Sequence, residues 1–168
     1  MSRVFLAARA LAYSTGFVGV WVWLALQVER RAGGTLPVPP AAGRIPGAVL
    51  IGLGGTVVLA CVAMFVVAGR GTPAPFDPPR ALVPRGPYRW VRNPMYLGAL
   101  LVLVGFGLWR TSLAMILLAV PAALCAHLLV VLYEEPSLQR RFGSQYLDYQ
   151  RRVKRWSITL GRRPAAGP

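Results

Sequence analysis

Three features of the 168-residue sequence predict an all-α integral membrane fold. The chain is 55% hydrophobic with a mean hydropathy of +0.52, above the usual apolar share of soluble domains. Its apolar residues are gathered into runs of about 20, the length a helix rising 1.5 Å per residue needs to cross the hydrocarbon. Its basic residues are sorted between alternate loops, as they are in a chain oriented across a bilayer. Four transmembrane helices, a cytoplasmic loop between the second and third, and a C-terminal interfacial amphipathic helix are expected, as one domain over residues 1–168.

The first span, residues 4–28, carries only Arg9 as a charge, near its start where a long side chain reaches the headgroups. It is too long for a signal-peptide core, and no small-residue cleavage pattern follows, so it reads as a retained helix. The Gly, Pro and Ala-rich stretch 29–46 reads as a short external loop without visible chemistry. The second span, 47–69, is uncharged, and its opening GAVLIGLGG offers a face on which a second copy of the chain would pack as a homodimer. Six prolines in residues 70–88 exclude regular helix and leave a stiff, extended segment.

The third span, 95–109, is short and is expected to start inside the interface. The three residues RTS then join it to the fourth span, 113–133, as an antiparallel hairpin. Beyond it, Leu138, Phe142, Tyr146, Tyr149 and Val153 recur at helical spacing between polar residues, so 136–153 reads as an amphipathic helix on the inner surface. The tail 161–168 is expected to be disordered.

A net charge of +14 invites a nucleic-acid partner, but the placement of the charges argues for membrane orientation instead. With four spans and an inner N-terminus, only Arg30, Arg31, Arg44 and Arg110 of the 19 basic residues fall outside. Both termini are therefore expected in the cytoplasm of a cell, here a bacterial one, with the chain in its cytoplasmic membrane. Cys61 and Cys125 lie inside predicted spans without metal-site company and read as packing residues. No metal is expected.

The acidic residues are five: Glu29, Asp77, Glu134, Glu135 and Asp148. Glu134 and Glu135 sit at the inner end of the fourth span, where a helix dipole disfavours negative charge. Pro136, as the first residue of a surface helix, accounts for one glutamate as an N-terminal anion. Two glutamates call for a cationic ligand or for the loop arginines. Opposite them stands GPYRWVRNPMYLG, where Pro94 suits a first helical turn and Asn93 an N-cap. An aromatic belt of Tyr88, Trp90 and Tyr96, with Arg85, Arg89 and Arg92 fixing topology, explains the composition of this stretch but not its order.

The order LVxxGPYxxxRNPxYxG at Leu82–Gly98, then a helical hairpin, then EExxLxxxFGxxYxxYxxxV at Glu134–Val153, resembles the isoprenylcysteine carboxyl methyltransferase and phospholipid methyltransferase superfamily of integral membrane enzymes. The resemblance covers about residues 80–156. It implies S-adenosyl-L-methionine as cofactor, held at the inner face by Arg80, Leu82, Val83, Tyr88, Asn93, Pro94, Tyr96 and Glu134. The chemistry agrees, since carboxylates and aromatic faces suit a sulfonium and an ammonium, and arginines and N–H groups suit a carboxylate.

The acceptor implied is a lipophilic small molecule or membrane lipid: an isoprenoid carboxylate, or a lipid amine, hydroxyl or thiol. Glu135 or Glu134 would take the proton of an amine, and Arg92 would orient a carboxylate. Many relatives have His at Asn93, and their tail reads Val-Pro-Arg where this chain has Val153, Lys154 and Arg155. Prenylcysteine enzymes carry an Arg where this chain has Val130, which argues against a prenylcysteine carboxylate.

Two signals stay open between packing and function. The GFG at 105–107 reads as close helix packing or as a cofactor element. His127, on nearly the same helical face as Glu134 but two turns deeper, either lines an acceptor cavity or makes an interhelical hydrogen bond. The competing functions are an NADPH-binding membrane reductase-like protein and a non-catalytic membrane adaptor. The adaptor leaves the glutamate pair and the motif order unexplained.

Overall fold

The computed structural model describes residues 3–65, 67, 81–82 and 84–159. Arg80, Val83, most of the proline-rich segment and the tail 160–168 lie outside the described residues. Within them every regular element is helical, apart from one isolated bridge between Thr35 and Ser112. The helices are α1 (Arg3–Ala32), α2 (Pro40–Met64), α3 (Pro94–Trp109), α4 (Leu113–Phe142) and α5 (Ser144–Arg152), with a 3-10 turn at Gly86–Arg89 before α3. Among the described residues α2 and α4 are long and apolar enough to cross a membrane, while α3 has 16 residues.

The second helix begins earlier than its apolar run does. Pro40 sits in its first turn, where a missing N–H costs nothing, and Pro46 lies one turn further on above the exposed Ala42. The helix therefore starts seven residues before the apolar run at 47 and carries Pro46 inside it.

Helices α2 and α3 run antiparallel and touch backbone to backbone through paired glycines. A Cβ on Gly98 would lie 2.9 Å from the Gly54 carbonyl oxygen, and one on Gly105 would lie 2.8 Å from that of Gly47. Both pairs are separated by seven residues, two turns, so one face of each helix is flat enough for close approach. Gly107 faces the other way and leaves room for Ile116 of α4. The GFG triplet is therefore packing. Gly47 and Gly54 are consumed inside the chain and are not available to a second copy, whereas Gly52 and Gly55 face open space.

A small core of Ala25, Leu103, Met115, Leu118 and Ala122 joins α1, α3 and α4. The outward faces remain apolar: Leu59 is 64% exposed, Val120 67% and Leu132 71%. Apolar side chains turned outward on long helices are what a hydrocarbon solvent stabilises. At one end of the bundle Leu36 N–H donates to Thr111 O at 2.8 Å, Leu113 N–H donates to Gly34 O at 3.2 Å, and Arg110 pairs with Glu29 at 2.9 Å. The glutamate pair and the motif preceding α3 meet at the opposite end.

There the structure departs from expectation in two ways. The fourth helix does not stop at Tyr133. It opens into a π turn over Val130–Glu134, in which the Glu135 N–H donates to Val130 O, and then continues to Phe142. Pro136 has no N–H to give and its ring would clash with the carbonyl one α-turn back; a wider turn accommodates it without ending the helix. Conversely, the single helix expected over 136–153 is broken at Gly143, whose φ of +52° and ψ of −127° suit glycine alone.

That break folds α5 back, so that Tyr146, Tyr149 and Val153 pack with Leu138, Phe142 and Leu82 into a second small core. The apolar stripe read as membrane-facing is spent on this protein-protein packing instead.

Replacing Gly54 by Val should lower stability in detergent by about 1–3 kcal/mol through overpacking, whereas Gly52→Ala should be neutral or stabilising by up to about 1 kcal/mol. Thermal unfolding of the two variants checks this; equal losses would contradict the assigned helix face.

Candidate functional site

The site is organised by the divergence of two adjacent glutamates. Successive helical residues point about 100° apart, and here Glu134 turns towards α3 while Glu135 turns towards the chain ends that flank it. The Glu135 carboxylate is 8% exposed as a residue and fully engaged. Arg155 grips it with both Nε and Nη2, at 2.8 and 2.7 Å, and Arg92 Nη1 donates at 2.8 Å. Gln150 adds a longer contact at 3.4 Å. The forked geometry of a guanidinium on a carboxylate is the strong form of such a pair.

This ion cluster draws residues 153–159 alongside residues 90–93. Arg92 N–H donates to Lys154 O at 2.9 Å, Thr159 N–H to Trp90 O at 2.8 Å, and Asn93 Nδ2 to Arg155 O at 3.2 Å. Asn93 does stand at the N-cap position of α3, but its side chain makes no capping bond and ties down the C-terminal segment instead. Tyr149 completes the clasp by donating its hydroxyl to Tyr88 O at 2.7 Å.

Glu134 has a different neighbourhood. Its carboxylate accepts the Tyr96 hydroxyl, and the Tyr96 ring meets Trp156 edge to face at 6.4 Å. Trp156 in turn donates its Nε1–H to His127 Nδ1 at 3.1 Å. On the other flank the Tyr88 hydroxyl meets the buried Cys61 thiol, and its ring packs edge-on against Phe65 at 5.5 Å. Trp90, by contrast, is 51% exposed with Arg89 4.5 Å over its ring. It alone of the three aromatics behaves as a belt residue.

Of the residues expected to bind a cofactor, the structure gathers Leu82, Tyr88, Asn93, Pro94, Tyr96 and Glu134 at one end of the bundle. Leu82 belongs to the second core rather than to a cavity wall. The two residues expected to act on the acceptor, Arg92 and Glu135, are bound to each other. The Glu135 oxygens are held by two arginines and Gln150. Arg92 has a buried Nε–H without a hydrogen-bond partner among the described residues. Arg155 and Trp156 were not proposed as site residues from the sequence, whereas Cys61 was read as a packing residue and is buried. Arg155 had a signal, as the basic residue retained from the Val-Pro-Arg tail; Trp156 had none.

Among the described residues no three His, Cys, Asp or Glu come together as a metal site. Burial first, then Cys61, Tyr149 and Glu134, holds the Tyr88 hydroxyl well above its ordinary pKa of 10.0. Burial, reinforced by Tyr146 and opposed by Arg92, also raises Tyr149. The bond to Glu135 raises Arg155 against the smaller opposing effect of burial.

An apolar helical bundle with a buried ion cluster and aromatic rings gathered at one end is a membrane protein with a built polar site. Residues 43–145 match the family described as Phospholipid methyltransferase, and the chain belongs to that family of membrane methyltransferases. No curated protein and no solved structure matches the chain significantly. The match spans α2, α3 and α4 with both glutamates, while the segment carrying Arg155 and Trp156 lies beyond it.

Glu135→Gln should lower stability by about 3 kcal/mol, since it leaves Arg92 buried without its counter-charge; an unfolding midpoint unchanged from wild type would contradict the clasp. Because the folded-state pKa values of Tyr88 and Tyr149 are raised, their contribution to stability is complete below about pH 10 and is lost as the pH rises further. The midpoint should therefore hold level up to that pH and then fall, less steeply in Tyr149→Phe.

Proposed function

We propose that the protein is an S-adenosylmethionine-dependent methyltransferase that modifies a membrane lipid at the cytoplasmic face. Four helices, α1 to α4, cross the bilayer in this reading. The end carrying Glu134 faces the cytoplasm, where the arginine-rich segments collect. Family membership supports methyl transfer to a lipid, and the site residues support the cofactor.

The observation that carries the reading is that, among the described residues, Glu134 accepts a tyrosine hydroxyl and has no arginine partner, while its neighbour Glu135 has two. Arg92 and Arg155 both go to its neighbour, which leaves the Glu134 carboxyl group beside the Tyr96 ring and near Tyr88 and Trp156. A carboxylate flanked by aromatic faces attracts a sulfonium or ammonium group. The unpartnered Nε–H of Arg92 suits the carboxylate of an amino-acid moiety, because an unfilled buried donor is costly until a ligand takes it. Both polarities that S-adenosylmethionine requires are thus present in the chain's own residues.

S-adenosylmethionine supplies an electrophilic methyl group when bound. The protein's part is to align an acceptor with it and to keep water away, which counts for much of the rate in an in-line displacement. A lipid enters from the side, between helices, while a soluble cofactor arrives from the aqueous end. For an amine acceptor, the proton released as the new N–C bond forms goes to Glu134. For a carboxylate or thiolate acceptor no base is needed.

Isothermal calorimetry on detergent-purified protein tests the reading, with NADPH as the comparison ligand. Saturable S-adenosylmethionine binding, weakened at least about tenfold in Glu134→Gln, is expected, since a charge-assisted contact contributes on that scale. Absence of binding in folded wild-type protein, or binding of NADPH alone, would overturn it.

A further inference from the structure

His127 lies in the apolar body of α4, where a polar side chain needs a reason. Its Nδ1 accepts a hydrogen bond from the Trp156 indole at 3.1 Å, with the rings tilted at 38° and their centroids 6.1 Å apart. An indole N–H can only donate, so Nδ1 bears a lone pair and the ring proton sits on Nε2. That Nε2–H has no partner among the described residues. Trp156 therefore does more than pack: it fixes the tautomer and leaves His127 as an oriented hydrogen-bond donor.

The donor is placed on a continuous strip of side chains. Glu134 holds Tyr96, Tyr96 meets Trp156, and Trp156 holds His127. His127 is seven residues before Glu134 in α4, with the π turn between them, and it is the contacts through Tyr96 and Trp156 that put both on one strip, His127 lying roughly 10 Å deeper into the bundle at about 1.5 Å per residue. A ligand lying along this strip would have one polar group at Glu134 and a second at a comparable distance, at a depth where the surrounding helix surface is apolar.

Resting on the methyltransferase reading, we propose that His127, held by Trp156, is a specificity-determining residue that donates its Nε2–H to an acyl-ester carbonyl of the lipid whose headgroup is methylated at Glu134. A glycerophospholipid has ester oxygens about that far from its headgroup nitrogen; a simple isoprenoid acid or thiol has none. The C-terminal segment thereby becomes part of the acceptor site, brought there by the Glu135 clasp. The donor also explains why this helix keeps one imidazole among leucines and alanines, since among the described residues its second nitrogen has no hydrogen-bond partner.

The test compares dioleoyl phosphatidylethanolamine with its dialkyl-ether analogue, which has the same headgroup and no carbonyl. Two readouts are taken in mixed micelles: retention of each lipid by native mass spectrometry, and transfer of labelled methyl from S-adenosylmethionine. Wild-type protein is expected to prefer the ester by about fivefold, the scale of one hydrogen bond. His127→Leu should abolish the preference and raise the KM for lipid about fivefold while leaving the KM for S-adenosylmethionine within twofold. His127→Gln, which can both accept from Trp156 and donate onward, should keep the preference.

An ester preference that survives in His127→Leu, or its absence in wild type, overturns the proposal. If lipid retention depends on His127 but no methyl is transferred, the lipid contact stands and the methyltransferase reading falls. If methyl is transferred equally to both lipids by wild type and variant, the reverse holds.

Discussion

The buried contact between Glu135 and two arginines holds together everything at the polar end of this protein. Arg92 comes from the segment before α3, Glu135 from the middle of a long helix, and Arg155 from the segment after α5. Each charge would be costly to bury alone. Together they satisfy one another, and the cluster joins the same three pieces of chain that the second apolar core packs together. The backbone bonds between residues 90–93 and 153–159 follow from that closure, as does the seat of Trp156 between Tyr96 and His127.

The π turn is the companion constraint. A proline directly after two acids would ordinarily end a helix or bend it sharply. The widened turn over Val130–Glu134 lets α4 pass through, so Glu134 and Glu135 are held in rigid helical backbone rather than in a loop. Adjacent positions on a helix face different neighbours. Among the described residues one acid is committed to structure and the other is left with a tyrosine hydroxyl.

Much of the helix layout was legible in the sequence because apolar run length and loop chemistry are local properties. The span at 95–109 agrees with α3 to within a residue, since Pro94 and the RTS turn mark its ends. The end of α4 was misread at Tyr133, because Pro136 was taken as the first residue of a separate helix where a π turn absorbs it; α2 begins at Pro40, seven residues before the apolar run that marked it. The close packing of Gly105 was readable from small residues in a helix; its partner, Gly47, was not, because pairing depends on register between helices. At the site, the motif order picked out Tyr88, Asn93, Tyr96 and Glu134, which do converge. The pairing of Arg92 with Glu135 was not legible, because it depends on a long-range fact: Arg155, twenty residues on, takes up the same carboxylate.

Hydrogen–deuterium exchange on Glu135→Gln in detergent tests the clasp most directly. Amides at 90–92 and 153–159 should lose protection together, while the glycine-paired contact of α2 and α3 keeps its own. Unchanged protection at 153–159 would contradict the account, because the C-terminal segment would then be held by something other than the ion cluster.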